Sequence, residues 1–104
     1  MSTLAGTDTV EEVKTNILIN IPKMYNVIFH NDDKTTFEFV VLVLNQIFHK
    51  SIDEALQITM TIHEKGRAVV AVYTKEIAEE KVYEVTRVAS SYGYPLTVTC
   101  EPES

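Results

Sequence analysis

The chain changes from strand-like to helix-like sequence within one short segment, residues 24–41, MYNVIFHNDDKTTFEFVV. Residues 25–30 are rich in β-branched and aromatic side chains, which favour a strand. Residues 31–33, Asn-Asp-Asp, follow directly, and such short polar side chains bond their own backbone and favour a turn. Thr35 and Glu38 then match a capping box, so a helix is predicted to begin there.

Hydrophobic spacing predicts two consecutive helices after this turn. Apolar residues recur three and four positions apart in the first, and a second capping box, Ser51 with Glu54, begins the next. Gly66 can take the left-handed conformation that closes a helix, which places His63 in the last turn. The predicted buried positions are Phe37, Val40, Val41, Leu44 and Phe48 in the first helix, and Ala55, Ile58, Thr59 and Ile62 in the second.

The rest of the chain predicts a strand, a helix and a strand. Residues 67–73 form the second strand, Thr74 caps a third helix that Gly93 and Pro95 end, and residues 96–100 alternate as the third strand. The order β-α-α-β-α-β predicts one α+β domain, a three-stranded, mainly antiparallel sheet covered by helices. The predicted buried positions of the third helix are Ala78, Val82, Val85, Ala89 and Tyr92.

Residues 1–23 differ from the rest in composition. They are acidic and rich in serine and threonine, and Pro22 interrupts them just before the first strand. We therefore expect a flexible N-terminal extension at 1–23 and a folded core at 24–104. The first 13 residues carry acidic but no basic side chains, unlike a secretory signal, and no apolar run approaches the roughly 20 residues of a spanning helix.

Charge and cysteine content limit the partners and cofactors. The 15 acidic and 9 basic side chains give a net charge of -6, which repels nucleic acid and anionic membranes. Cys100 is the only cysteine, so no internal disulfide, paired-cysteine zinc site or two-cysteine redox motif can form. We expect a cytoplasmic monomer that carries no metal or other cofactor and binds neither nucleic acid nor membrane.

A few side chains could carry chemistry. His63 and Glu64 open like a zinc-protease helix motif, but Arg67 stands where the second histidine is required. Asp32 and Asp33 could serve as acid and base, yet carboxylates in such a turn are more often solvated turn formers. His63 likewise has an ordinary role beside the carbonyl groups of a helix C-terminus. From these residues alone, the chain is an α+β interaction domain, and a small hydrolase that uses His63, Asp32 and Asp33 stays an alternative.

Taken together, several pieces of the sequence resemble the ClpS adaptor family over residues 24 to 101. Each piece alone is a weak signal, but their order and separations are those of the family. They are residues 24–28 (MYNVI), 31–33 (NDD), Thr35, 38–40 (EFV), 55–63 (ALQITMTIH), 66–68 (GRA), 74–82 (TKEIAEEKV) and 95–96 (PL).

The resemblance implies an adaptor and not an enzyme. Such an adaptor binds proteins whose free first residue is bulky and apolar (the N-degron) and delivers them to the ClpA-type AAA+ unfoldase of the Clp protease. Capture of the peptide's α-ammonium requires closely placed acceptors, and a histidine among them must be neutral, so binding should weaken in acid. The family roles fall on Asn31, Asp32 and His63 for the ammonium, Asp33 and Thr35 for loop support, Phe37, Val40, Thr59, Ile62 and Leu96 for the apolar pocket, and Lys34, Glu76 and Lys81 for the unfoldase.

The sequence also departs from the family pattern. Phe37 and Thr59 stand where methionine is common, which leaves the preferred first residue open. Thr36 replaces a frequent proline, and Lys34 replaces a frequent aromatic residue. A different interaction module of similar fold, like the C-terminal domain of the ribosomal stalk protein, is a further alternative. It makes no use of Asn31, Asp32 or His63.

Overall fold

The computed structural model describes residues 22–103. Its element order, β-α-α-β-α-β, and its α+β class confirm the prediction from the sequence. The expected extension at residues 1–23 lies outside the described residues, apart from Pro22 and Lys23. The elements are β1 (Met24–His30), α1 (Phe37–Gln46), α2 (Ile52–Lys65), β2 (Arg67–Thr74), α3 (Lys75–Ser91) and β3 (Thr97–Pro102).

The three strands form one antiparallel sheet in the order β2-β1-β3. The central strand, β1, contains three consecutive residues that are almost fully buried, Val27, Ile28 and Phe29. At its carboxyl end, His30 pairs with Arg67 of β2 and with Thr97 of β3. Because Arg67 begins β2 directly after α2, the loop that leaves β1 lies beside the end of α2.

The core lies between the sheet and the helices. α3 packs against all three strands, α2 packs against β2, and α1 packs against α2. Within residues 22–103, no helix combines the length and apolar character needed to cross a bilayer. The buried core residues are Val27, Phe29, Phe39, Val40, Val43, Leu44, Phe48, Ala55, Ile62, Val70, Ala78, Val85, Ala89, Leu96 and Val98.

The buried face of α1 differs from the predicted one. Phe37 is 37% exposed and Val41 is only partly buried, whereas Phe39 and Val43, which were not predicted, are buried. Apolar residues occupy almost every position from 37 to 44, so their spacing does not fix the rotation of the helix about its axis. Packing against α2, and of Phe39 against the rings of Tyr92 and Tyr94, selects the face.

The N-terminus of α1 corrects the first predicted capping box. Thr36 is the N-cap, and its hydroxyl accepts a hydrogen bond of 3.2 Å from the amide of Phe39. Thr35 instead donates its hydroxyl to Asp32, so the predicted pair of Thr35 and Glu38 is wrong. The sequence has two adjacent threonines. The Thr35 hydroxyl bonds the Asp32 carboxylate in the turn, and Thr36 is the N-cap.

Both ends of α2 confirm the prediction. Ser51 accepts from the amide of Glu54 at 3.1 Å, and the Glu54 carboxylate accepts from the Ser51 amide at 3.2 Å. Gly66 ends the helix with a φ of 89°, in the left-handed region. Its amide donates to the carbonyl of Ile62, which completes the last turn.

The ends of α3 confirm the predicted bounds but not every predicted contact. Thr74 is the N-cap, although its side chain makes no capping hydrogen bond. Gly93 has a φ of 78°, and the amide of Tyr94 bonds the carbonyl of Ala89, as in a Schellman motif. Tyr92, predicted to be buried, is 62% exposed because it is the C-cap, beyond the last turn that faces the sheet.

Gly66 should stabilise the fold only because glycine adopts the left-handed backbone conformation at this position without strain. A Cβ at this position would meet no atom within 4 Å, so Gly66→Ala adds only the strain of a left-handed alanine, about 1–2 kcal/mol. Gly66→Asn should lose less, because asparagine tolerates this conformation. Urea unfolding followed by circular dichroism measures both variants, and equal losses for alanine and asparagine would contradict this explanation.

Candidate functional site

A cavity of about 330 Å³ opens between the loop after β1, the start of α1 and the last turns of α2. Nine of the ten side chains predicted for ammonium binding, loop support and the apolar pocket line it. The tenth, Leu96, is buried in the core and is not among the lining residues. The lining residues are Asn31, Asp32, Asp33, Thr35, Phe37, Val40, Thr59, Ile62 and His63.

A backbone hydrogen bond ties the loop to α2. The amide of Asn31 donates to the carbonyl of Gly66 at 2.8 Å, directly beyond the pairing of His30 with Arg67. His63 lies three residues before Gly66, in the last turn of α2. The register of β1 with β2 therefore sets the distance between the loop and His63. Local sequence patterns do not contain this register, and the bond at Gly66 was not predicted.

Asp32 shapes the loop. One carboxylate oxygen, Oδ1, accepts from the amides of Lys34 at 2.8 Å and Thr35 at 2.7 Å. The other, Oδ2, accepts from the Thr35 hydroxyl at 2.7 Å. Three hydrogen bonds from its own loop thus hold this carboxylate in one orientation.

The same contacts set the charge of Asp32. Partial burial would raise the pKa of this carboxyl, but the hydrogen bonds from Thr35 and Lys34 together outweigh it and hold the pKa below its ordinary value. Asp32 is therefore ionised at neutral pH. Asp33 also lines the cavity, so the part lined by Asn31, Asp32, Asp33 and His63, here called the polar end, favours a cation.

Acceptor capacity remains at the polar end of the cavity. A carboxylate offers about four acceptor positions, and three of those on Asp32 are used within the loop. The side chains of Asn31 and His63 make no hydrogen bond to another residue in the described part of the chain. These groups can accept from a compact cation with several N–H donors.

The other lining residues on α1 and α2, here called the apolar end, are apolar except for Thr59. Val40, Thr59 and Ile62 are almost fully buried there, while Phe37 lies half-exposed against solvent. The Thr59 hydroxyl donates to the carbonyl of Ala55 at 2.7 Å, within its own helix. A ligand with one charged end and one apolar end therefore matches the two ends of the cavity.

The hydroxyls that line the cavity are engaged within the protein. The two hydroxyls that line the cavity, on Thr35 and Thr59, both donate hydrogen bonds within the protein. Neither serine nor cysteine is among the lining residues. In the described part of the chain, no group of three or more His, Cys, Asp or Glu residues is placed to hold a metal ion. The geometry favours binding over the hydrolase alternative.

The residues predicted to contact an unfoldase do not lie in one cluster. Lys34 is exposed in the loop beyond the carboxyl end of β1. Glu76 is exposed in the first turn of α3, directly after Thr74, which pairs with Met24 at the other end of β1. Lys34 and Glu76 therefore lie near opposite ends of β1, a strand about 20 Å long.

Lys81, the third residue of that prediction, has contacts within the protein. Its ammonium donates to the carbonyl of Ile47 at 3.1 Å and lies 5.9 Å from the ring centre of Phe48. An ion pair with Glu84, at 3.8 Å, completes its surroundings. Lys81 thus connects α3 to the segment between α1 and α2.

Comparison with known proteins identifies the same fold and family pattern. The model of the family "ATP-dependent Clp protease adaptor protein ClpS" matches residues 20–99. The ATP-dependent Clp protease adapter protein ClpS of Desulfatibacillum aliphaticivorans is 48% identical over 82 residues, 79% of each chain. That of Acetivibrio thermocellus is 43% identical over 95 residues, 91% of this chain and 96% of the relative.

One solved structure is similar over the whole core. The structure of Agrobacterium tumefaciens ClpS2 bound to L-phenylalaninamide is 45% identical to this chain, with a TM-score of 0.77. The match covers 79% of this chain and 99% of the other.

The loop should depend on the ionised form of Asp32. A lowered pKa means that the Asp32 bonds stabilise the fold at neutral pH and are lost as the pH falls through the folded-state pKa. The amide NMR signals of Lys34 and Thr35 should therefore titrate with a midpoint below about 3.9, the ordinary value for aspartate. Asp32→Asn should remove this titration. A midpoint at or above the ordinary value would contradict the assignment.

Proposed function

Because this chain belongs to the family of ATP-dependent Clp protease adaptor proteins, ClpS, we propose that it binds proteins with a bulky hydrophobic first residue and delivers them to the Clp protease. The observation that carries the proposal is the pairing of polar and apolar ends in one cavity of about 330 Å³. A peptide start presents the same two groups side by side, a charged amine and a side chain.

The ligand of the similar structure has this chemistry. L-phenylalaninamide, bound to Agrobacterium tumefaciens ClpS2, has a free α-amino group, an aromatic side chain and an amide in place of the carboxylate. It thus represents the first residue of a peptide. The 45% identity supports the same class of ligand here.

Three side chains receive the α-ammonium in this proposal. Asn31 contributes its amide oxygen, and Asp32 contributes its charge and its remaining acceptor position. His63 accepts through a ring nitrogen and must be neutral to do so, because imidazolium has no acceptor lone pair. Asp33 and Thr35 complete the loop, through charge and through the hydrogen bond to Asp32 respectively.

The apolar end receives the first side chain. Val40, Thr59, Ile62 and Phe37 surround it, and burial of a Leu- or Phe-sized group contributes roughly 1.5–3 kcal/mol. A small first residue forfeits this contribution, and a charged one adds a desolvation cost. The ammonium is common to every uncapped chain, so the apolar end provides the discrimination between substrates.

The proposed role is delivery without catalysis. We propose a ClpA-type AAA+ unfoldase as the partner and a cytoplasmic monomer as the active form. Lys34 and Glu76, both exposed, are the better candidates for contacts with this partner, because Lys81 is occupied within the protein. The extension at residues 1–23 would accompany the bound substrate into the unfoldase.

A peptide panel tests the binding function. A fluorescent peptide that begins with Phe should bind at least tenfold more tightly than its Gly-initiated counterpart, because the apolar contribution is lost. Its N-acetylated twin should bind still more weakly, since acetylation removes the charge and the donors. Fluorescence anisotropy measures all three affinities, and mass spectrometry should recover the peptide intact. Equal affinities for the three peptides would refute the proposal.

Acid should weaken peptide binding through His63. A protonated imidazole has no acceptor lone pair and would repel the peptide ammonium, so the peptide should bind only the neutral form of this side chain. Fluorescence anisotropy should therefore show a lower affinity for the Phe-initiated peptide in acid than at neutral pH. Asp32 does not contribute to this loss of affinity in mild acid, because its lowered pKa keeps the carboxylate ionised.

Matched glutamine variants assign this pH dependence. His63→Gln keeps a carbonyl acceptor but cannot be protonated, so its affinity should be flat with pH. His49→Gln makes the same change at an exposed position outside the cavity and should behave like the wild type. A fall of the same size in His63→Gln would show that another group titrates.

A further inference from the structure

Thr59 is unusual among the residues that line the cavity. It is only 3% exposed, and it is the one buried polar residue among residues 22–103. Its neighbours in the apolar end of the cavity are Phe37, Val40 and Ile62. A purely apolar pocket needs no hydroxyl at this place.

The hydroxyl of Thr59 can only accept from a ligand. A threonine hydroxyl has one donor and two acceptor lone pairs. Its donor is already committed to the carbonyl of Ala55, at 2.7 Å. What Thr59 can offer to the cavity is therefore a lone pair, and only a ligand with a hydrogen-bond donor can use it.

The position of Thr59 relative to His63 suits the far edge of an aromatic side chain. The two residues are four positions apart on α2 and so lie on the same face, about 6 Å apart along the helix axis. This spacing is close to the separation between the α-nitrogen of an aromatic residue and the polar atom of its ring. A first residue anchored at His63 can thus place that atom near Thr59.

We infer that Thr59 makes the cavity selective for a first residue whose aromatic ring carries a hydrogen-bond donor, with tyrosine preferred over phenylalanine. The inference rests on the proposed function, since it assigns the same cavity to a free peptide start. Tyrosine and phenylalanine differ only in the ring hydroxyl. In a cavity without Thr59, that hydroxyl would lose its water without a replacement partner, and phenylalanine would bind better.

Two variants of Thr59 isolate the lone pair. Thr59→Val keeps the branched shape and removes the hydroxyl, and the Ala55 carbonyl retains its helical amide partner. Thr59→Ser removes the methyl group and keeps the hydroxyl. Two peptides that differ only in beginning with Tyr or Phe are titrated against each protein by fluorescence anisotropy.

The ratio of the two affinities is the readout. The wild type should prefer the Tyr-initiated peptide, and Thr59→Val should shift the ratio toward Phe by about tenfold. Thr59→Ser should keep the preference of the wild type even where both affinities fall. A ratio that is the same in the wild type and in Thr59→Val would overturn the inference.

N-acetylated twins of both peptides separate this inference from the proposed function. In one outcome, the free peptides bind and their acetylated twins do not. If the ratio of the Tyr and Phe affinities is then the same in the wild type and in Thr59→Val, the inference fails while the function stands. If the acetylated twins bind equally well, or if no peptide binds, the function fails and the inference fails with it.

Discussion

The loop that leaves β1 depends on one carboxylate. Asp32 accepts two backbone amides and one hydroxyl from the residues that follow it, which fixes the path of the chain before α1 begins. The same hydrogen bonds lower its pKa, so the group that shapes the loop also supplies its negative charge. Loop structure and cation attraction therefore come from one set of contacts, and neither can change without the other.

The second half of the site is placed by the sheet. The Asn31 amide bonds the Gly66 carbonyl, and Gly66 is also the left-handed residue that ends α2. Strand pairing, helix termination and loop anchoring thus meet within a few residues. His63 lies one turn before this junction, so its distance from Asp32 follows from backbone register and needs no direct contact between the two side chains.

The sequence predicted the parts of the fold that local chemistry controls. The capping box of Ser51 and Glu54 and the glycine at the end of α2 depend on residues close in sequence, and both are confirmed. The face of α1 depends on what packs against it, and a nearly continuous apolar run, from Phe37 to Leu44, does not specify it. The predicted capping box of Thr35 and Glu38 was wrong for a related reason, because the Thr35 hydroxyl bonds the Asp32 carboxylate instead.

For the candidate site, too, local sequence signals predicted some features and not others. The residues themselves suggested only a polar turn and a histidine near a helix end, and their assignment to one cavity came from resemblance. Leu96, which the resemblance assigns to the same pocket, is buried in the core and is not among the residues that line the cavity. The bond between Asn31 and Gly66 had no local signal, because it joins residues 35 positions apart through the register of β1 and β2.

Several groups that line the cavity are committed to contacts within the protein. The Thr35 and Thr59 hydroxyls, the ones that line the cavity, both donate within the protein, so neither is available as a nucleophile beside His63. Asp32 is held by its loop and is kept ionised, unlike a general acid that must carry a proton near neutral pH. The contacts that give the cavity its shape and charge are therefore the same ones that commit the Asp32 carboxylate and the Thr35 and Thr59 hydroxyls.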